Sequence, residues 1–464
     1  DWFQRMWVGA RDGANRYTAR FYGPFVRPGH DEAWLAAKRS EMSATPGQVE
    51  REHPLCVTAE TRVSTEQGMI PIWQAGSAAE TESGPVIAWG PQISSPIFTL
   101  TTEGGRVLRG TDNHPVALTD GSFRDLSELT VGNTVVLRPP RFAAEPFTHM
   151  WHPIPGVDHS VTINEDWGRF LGFFMGDGCW HRNTLSITCD AKDQDVVDEV
   201  DRLMTRLFAA PQRRTISRIK GRMGCTELRV SCVRGREVLQ ELGCLHRNEE
   251  GQGSWVRSIC VPEAIYRSPK PVVREFLRGL FEADGWVSRR GSQWGSHIAN
   301  VGFSTAKAEF AREVQLLLLG FGIKASINTR TKLAGNRVGY RQYSYRQHDL
   351  SLGGFNGARR FFQEIGFVGE RKGTYLPPPW MDTEKRRGGK LPKPILLEDV
   401  VASVEETGFE ETFDFTIGEE HVFSANGILT HNTPEMAFRS MLLLRFDTEA
   451  IDEGAAYAAA VQPM

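Results

Sequence analysis

The sequence predicts a multidomain chain in which an all-β unit, assembled from segments near both ends, is interrupted by an α+β unit carrying an internal duplication. Three observations lead there. Short β-rich runs begin at Cys56 and return after Leu396; the stretch between them alternates amphipathic helical periods with strand-like segments; and two apolar segments within that stretch repeat one another. With 464 residues, 40% of them hydrophobic and 24% charged, the chain is long enough for two to four domains.

Charge and cysteine usage exclude several classes. Fifty-four Lys and Arg against 57 Asp and Glu leave a net charge of -3, so a nucleic acid or membrane surface must be met by a local patch. No run of about 18 apolar residues occurs, and no membrane partner is expected. The 7 cysteines, Cys56, Cys179, Cys189, Cys225, Cys232, Cys244 and Cys260, form no CxxC pair, which argues against a disulfide framework or zinc knuckle and for a reducing, cytosolic compartment. The opening DWFQRMWVGA has neither an initiator Met nor the apolar core of a signal peptide, and reads as a fragment of a longer soluble protein.

Taken in order, residues 1–55 mix aromatics, Arg and Pro and end in a helix-like stretch from Trp34 to Glu52. Residues 56–145 hold VTAETRVST, PIFTLTT, RVLRGTDNHPVAL and NTVVLRP, short strands set between Gly, Ser, Asn and Asp. Residues 160–380 form the mixed unit. Its repeat pairs FLGFFMGDGCW with FLRGLFEADGWVS, each an apolar helix with an embedded Gly that ends in Asp-Gly-aromatic. Each copy is followed by a strand, a helix (near Val196 to Leu207, then Lys307 to Leu319) and basic strands, a duplicated helix-strand-strand-helix unit. EKRRGGKLPKP reads as an exposed linker, β texture resumes over 395–432, and residues 433–464 read as polar and helical.

The chemistry-bearing residues cluster at the ends of the β segments. Cys56 opens the first, and its thiol can attack the preceding carbonyl to turn an amide into a thioester. In Thr111-Asp112-Asn113-His114, a Thr three residues before a His can sit beside it in a tight turn and aim the imidazole at one peptide bond. The second β segment ends in His431-Asn432-Thr433. An Asn amide can cyclise onto its own carbonyl and cut the chain, a preceding His can supply the proton, and Thr433 offers a hydroxyl nucleophile. Asp414 can tune the thiol or hydroxyl, and His421 can polarise the Asn432 carboxamide. In the repeat, Gly172 and Gly279 permit close helix approach, and Asp177 and Asp284 end the two helices near a shared point where carboxylates can hold a divalent metal.

Together these residues resemble an intein. CVTAETRVSTEQGMIPI is similar to the intein start, GTDNHPVAL to the Thr-x-x-His block, and FDFTIGEEHVFSANGILTHN followed by Thr to the two terminal blocks, in family order. The resemblance implies a horseshoe-like Hint splicing domain, with Cys56 as first nucleophile, Thr111 and His114 activating the upstream bond, and Asp414 assisting acyl transfer. Thr433 would receive the acyl group, and His421 and His431 would assist Asn432 cyclisation; splicing needs no cofactor. The repeated helices resemble the LAGLIDADG homing endonucleases, DOD-type when embedded in inteins, LRGLFEADG being the closer copy. That resemblance implies double-stranded DNA as partner, Mg²⁺ at Asp177 and Asp284, and a monomer with pseudo-two-fold symmetry.

Local charge agrees: residues 201–240 carry ten Arg or Lys against three acids, and 323–347 carry six against none. One position departs from the pattern. The family often places a Lys three residues before the Pro preceding the second helix; here Ile259 stands there, with Arg257 two residues upstream. Arg stays protonated and cannot act as a base; Lys372 is the counterpart in the second half. Joined without 56–432, the flanks resemble a phage large terminase subunit, whose spliced product would join a DNA-packaging motor in the cytoplasm of a phage-infected or prophage-bearing bacterium. The expectation is a self-splicing intein that joins Leu55 to Thr433 and carries a site-specific endonuclease. The alternatives are an intein whose middle domain binds DNA without cutting it, and a terminase fragment with an unrelated insert.

Overall fold

A computed structural model describes residues 17–21, 56–375, 397–431 and 442–446, apart from 79, 155–156, 182, 209–216, 221–223, 249–254, 292–296, 335–342 and 419–420. The Trp34 to Glu52 helix, the linker over EKRRGGKLPKP and most of residues 433–464 lie outside these limits. Strand β1 (Tyr17–Phe21) precedes the first β segment, which contributes β2 (Val57–Thr58), β3 (Arg62–Thr65), β4 (Gly68–Pro71), β5 (Glu80–Thr81) and β6 (Gly84–Thr102). It continues with β7 (Val107–Gly110), β8 (Pro115–Ala117), β9 (Phe123–Asp125) and β10 (Thr134–Val136). A hairpin of β11 (Thr148–Ile154) and β12 (Val157–Thr162) leads into the central unit.

The first half of that unit is α1 (Glu165–Asp177), β13 (Gly178–His181), β14 (Thr184–Asp190), α2 (Gln194–Phe208), β15 (Ser217–Lys220), β16 (Cys225–Ser231) and α3 (Val233–Glu241). After β17 (Leu245–Arg247), β18 (Trp255–Arg257) and the short α4 (Glu263–Tyr266), the pattern recurs. It runs through α5 (Lys270–Ala283), β19 (Gly285–Gly291), β20 (His297–Thr305), α6 (Ala308–Gly320), β21 (Ser326–Ala334), β22 (Tyr343–Ser351) and α7 (Gly354–Glu364), with α8 (Glu370–Gly373) appended. The chain closes with β23 (Glu398–Ile417), β24 (Val422–Ala425), β25 (Ile428–His431) and β26 (Leu442–Phe446), the last paired antiparallel with β1.

The β unit is one twelve-stranded sheet in the order β10-β23-β2-β7-β6-β5-β3-β24-β25-β8-β9, with β4 on β3. Strands from the far end of the chain are therefore interleaved with those from the near end. β23 lies between β10 and β2 and also pairs along β6, and the β24–β25 hairpin is inserted between β3 and β8. Burial of Val57, Leu100, Leu108, Val401, Phe413 and Ile428 gives this sheet a core drawn from both ends.

The duplication is longer than the sequence pattern implied. Each half runs helix, two strands, helix, two strands, helix, and its sheet has the same order, β13-β14-β16-β15 and β19-β20-β22-β21. The second strand pair, expected from sequence as basic strands, completes each four-stranded sheet, and a third helix follows each pair. Helices α1 and α5 form the centre. Asn164 caps α1 by accepting from Trp167 N (3.1 Å), with Glu165 and Asp166 in the first turn, and Pro at the start of α5 sets its entry. Both helices bury most of their residues, among them Phe170, Leu171, Phe173 and Phe174 of α1 and Phe276, Leu277, Leu280 and Phe281 of α5.

The two units are fastened together. Met69 joins the helical core and Leu319 the β core; Gln315 Nε2 donates to Gly104 O (2.7 Å) and Ala325 O (2.8 Å); and Arg62 pairs with Glu263 at 2.8 Å. Among the described residues, no helix is long and apolar enough to cross a membrane.

Candidate active sites

Cys56 lies one residue before β2 and is 1% exposed. Its amide donates to Thr111 Oγ1 (3.2 Å), and Thr111 N donates back to Cys56 O (3.0 Å), so the residue after β7 grips the backbone at the proposed upstream junction. The turn that carries the histidine is fixed by its own main chain. His114 N donates to Thr111 O (3.1 Å), Leu126 N to His114 O (2.9 Å) and Ser127 N to Asp112 O (2.9 Å). His114 is fully buried, its ring set edge-on 6.2 Å from Phe423 of β24. Gly110 permits the packing, since a Cβ there would stand 2.7 Å from Cys56 O and 3.4 Å from His114 Cβ.

Asp414 is completely buried on β23. Burial, and then the Asp414 carboxylate, push the Cys56 thiol well above the ordinary cysteine range, so the thiol is protonated at neutral pH. At the other end of the insert, His431 pairs with Val422, its ring 6.1 Å from His421 and 5.3 Å from Phe123. His421 holds φ of +54°, a left-handed turn that feeds β24. The structure thus places Cys56, Thr111, His114, Asp414, His421 and His431 in one sheet unit. Leu55, Asn432 and Thr433 lie outside the described residues.

One organising residue escaped the sequence reading. Asn426 and Gly427 have φ of +51° and +83°, the two positive values a tight hairpin between β24 and β25 requires. The Asn426 side chain then reaches beyond its own turn: Arg62 N donates to Oδ1 (2.9 Å) and Nδ2 donates to Val107 O (3.2 Å). It ties the terminal hairpin to the strands flanking Cys56. The Asn-Gly pair was the available signal.

The second site sits where α1 and α5 end. A Cβ on Gly172 would lie 2.1 Å from Phe276 O and one on Gly279 2.3 Å from Arg169 O, so the helices touch backbone to backbone. Asp177 is the last residue of α1 and Asp284 caps α5. Burial pushes Asp284 up to about 6, with Asp177 adding to the shift, and burial also raises Asp177. Two cations counter this. Arg257 Nη1 donates to Phe174 O (2.7 Å) and Gly176 O at the end of α1, while Lys372 Nζ donates to Phe281 O (3.1 Å), Glu282 O (2.5 Å) and Gly285 O (2.9 Å) at the end of α5. These are structurally matching caps, each offsetting the negative helix end beside a carboxylate.

Arg257, two residues from the Ile259 position, is therefore the first-half partner of Lys372, and Ile259 itself is 40% exposed. Glu282, also missed from sequence, makes the halves unequal: it accepts from Val368 N and Gly369 N (both 2.9 Å) and lies 3.8 Å from Lys372, whereas the first copy has buried Met175 in its place. Among the described residues no group of three or more His, Cys, Asp or Glu side chains gathers as a ready metal cage. Two mutually repelling carboxylates at an open junction nonetheless fit a hard divalent cation that takes its remaining oxygens from water and nucleic acid phosphate.

Residues 271–366 match the family described as LAGLIDADG-like domain. Over 315 residues the chain is 28% identical to protein RecA of Mycobacterium tuberculosis, covering 66% of this chain and 36% of that protein. Over 415 residues it is 24% identical to the replicative DNA helicase DnaB of Rhodothermus marinus, covering 73% and 40%. The chain thus spans well under half the length of these curated relatives. Among solved structures, it is similar to I-DmoI E117A in complex with its target DNA in the presence of manganese (TM-score 0.28, 15% identity, 44% of this chain and 93% of that one). It is also similar to a G-1F mutant of the Ssp DnaB mini-intein variant M86 (TM-score 0.25, 10% identity, 82% and 99%).

Proposed function

We propose that the chain is an intein carrying a homing endonuclease: it excises residues 56–432, joins Leu55 to Thr433, and cuts DNA at an intein-free insertion site. The observation that carries this is the interleaved β sheet, which joins β2, the strand after Cys56, with β25, the strand ending at His431, over a core drawn from both ends. An intramolecular acyl transfer demands that both junctions meet, and a sheet built from both ends supports that reading. The relatives add support of a different kind. Proteins named for unrelated tasks, RecA and DnaB, each match about two thirds or more of this chain, far more than the 87 residues flanking 56–432, so the similarity must lie chiefly in the insert.

In this reading the Cys56 sulfur attacks the Leu55 carbonyl carbon while the His114 turn serves the departing Cys56 nitrogen. Thr433 oxygen takes the acyl group from sulfur, Asn432 nitrogen closes on its own carbonyl with His421 and His431 beside the junction, and the ester shifts to an amide. Each exchange swaps one acyl bond for another, so no energy source is needed.

At the second site, Asp177 and Asp284 would hold Mg²⁺, which when bound supplies positive charge toward a scissile phosphate. Lys372 and Arg257 keep the two helix ends, and with them the carboxylates, in register. The basic strands β15, β16, β21 and β22 would lie along the DNA backbone. The specific alternative, binding without cutting, is favoured by Arg257, a cation that cannot release its proton. The host assignment, a phage terminase joined at Pro-Leu-Thr-Pro and working in the bacterial cytoplasm, belongs to the same proposal.

Intact mass analysis of freshly expressed protein tests the splicing half: species for residues 56–432 and for the joined flanks are expected, and Asn432→Ala should leave unspliced or branched material. A persistent full-length mass from the unmutated chain rules it out. For the endonuclease, the Asp177→Asn, Asp284→Asn double variant must abolish cutting of the joined insertion-site DNA in Mg²⁺.

A further inference from the structure

β2 and β23 are antiparallel with Val57 opposite Phe413 and Thr58 opposite Thr412. Continuing that register by one residue sets Cys56 opposite Asp414, with Thr412 and Thr416 as its diagonal neighbours on the same face. All three β23 side chains are fully buried. Phe413, on the other face, stacks on Trp89 at 5.5 Å and fills the core, which locks the orientation of its neighbours. Among the described residues no hydrogen bond meets the geometric limits at the hydroxyls of Thr412 and Thr416, although Thr58 next door has its own partner in Thr61 at 3.4 Å. A buried hydroxyl without an acceptor is costly, and valine has nearly the same shape. Thr412 is thus a buried donor whose neighbouring acceptor among the described residues is the sulfur of Cys56.

We propose that Thr412 is a positioning residue for the first acyl shift, its hydroxyl preset to donate to the sulfur of Cys56 once that sulfur becomes a thiolate. The inference rests on the splicing reading. Burial and Asp414 both oppose ionisation of the thiol, and the Thr412 hydroxyl is the one neighbour that favours it. In the step itself, the S–H bond breaks, sulfur bonds to the Leu55 carbonyl carbon, and the C–N bond to Cys56 breaks; the proton lost by sulfur ends on the Cys56 nitrogen. The step is an isomerisation and needs no co-reactant. A donor whose hydrogen bond strengthens as charge develops stabilises the activated state more than the ground state. The titratable groups around the thiol are Asp414 across the strand pair and His114 on the turn beside β7, and neither is altered by the test below.

The full chain carrying Asn432→Ala supplies a stable precursor, into which Thr412→Val and Thr412→Ser are introduced. Alkylation of Cys56 by iodoacetamide, followed by mass spectrometry of its peptide across pH, reads thiolate formation directly. Dithiothreitol-induced cleavage between Leu55 and Cys56 reads the acyl shift. Thr412→Val should move the alkylation midpoint up by about one pH unit and slow cleavage about tenfold near neutrality, with the deficit shrinking as pH rises; Thr412→Ser should restore both. Thermal melting should show Thr412→Val no less stable than the parent, since a buried hydroxyl has been replaced by a methyl group of nearly the same shape. An unchanged alkylation midpoint, or a serine variant as impaired as valine, overturns the proposal. A shifted midpoint with no cleavage in any variant would uphold the thiolate contact and overturn the splicing reading instead.

Discussion

At the scale of single residues, burial raises the titration of one group at each candidate site, the Cys56 thiol and the Asp284 carboxyl. The thiol of Cys56 is kept protonated by burial, and Thr111 fixes the adjoining backbone through a hydrogen bond on each side of the residue. Replacing Thr111 with Ala should slow thiol-induced cleavage at Leu55–Cys56 about tenfold, equivalent to about 1.4 kcal/mol in the barrier. At the other site, Asp284 titrates near 6 in the folded chain, above its unfolded value. The native state therefore binds more protons between about pH 4 and 6, and stability falls as pH rises through that window. Without divalent metal, Asp284→Asn should stabilise the protein at pH 7.5 and do so less at pH 5, a modest effect because the exposed carboxylate is screened by solvent, read by urea denaturation at the two pH values. Cleavage of DNA by the unmutated chain should fade below about pH 6, because the carboxylate pair then holds a proton. Thr111, His114 and the two aspartates are legible from sequence because their spacing is local. Asn426 and Glu282 are not, since their partners Arg62, Val368 and Lys372 lie far away along the chain.

At the scale of elements, the α1–α5 pair decides whether the carboxylates meet at all. Gly172 and Gly279 face backbone atoms rather than flexible side-chain ends, so neither tolerates a methyl group without separating the helices. Gly279→Ala should cost at least about 2 kcal/mol and abolish DNA cleavage, measured by urea unfolding and by nicking of supercoiled plasmid. The repeat was visible in sequence because apolar helices ending in Asp-Gly carry their own signature. The basic strands were legible too, but their pairing into β13-β14-β16-β15 and β19-β20-β22-β21 was not, because strand order depends on contacts across a helix and a loop. The β24–β25 hairpin shows the opposite case, where an Asn-Gly turn announces itself but its seat between β3 and β8 depends on the whole sheet.

At the scale of the whole molecule, the two units share side chains as well as a covalent chain. Gln315 reaches from α6 to the loop between β6 and β7 and back to its own unit, and Leu319 from the same helix enters the β core. Gln315→Leu should destabilise the protein by about 1–3 kcal/mol and slow splicing as well as DNA cleavage, a coupled loss that calorimetry and precursor decay would read together. The discontinuity of the β unit was legible as a return of strand texture, whereas the placement of β23 between β10 and β2 was not, because register between strands so far apart in sequence is set by the folded core. That placement has a consequence for how the protein is made. The strand that buries Cys56 and faces it with Asp414 and Thr412 is synthesised hundreds of residues after it, once the whole central unit has been made. The sheet around Cys56 therefore closes only after that unit has left the ribosome, so the order of synthesis makes completion of the β unit wait on the unit it encloses.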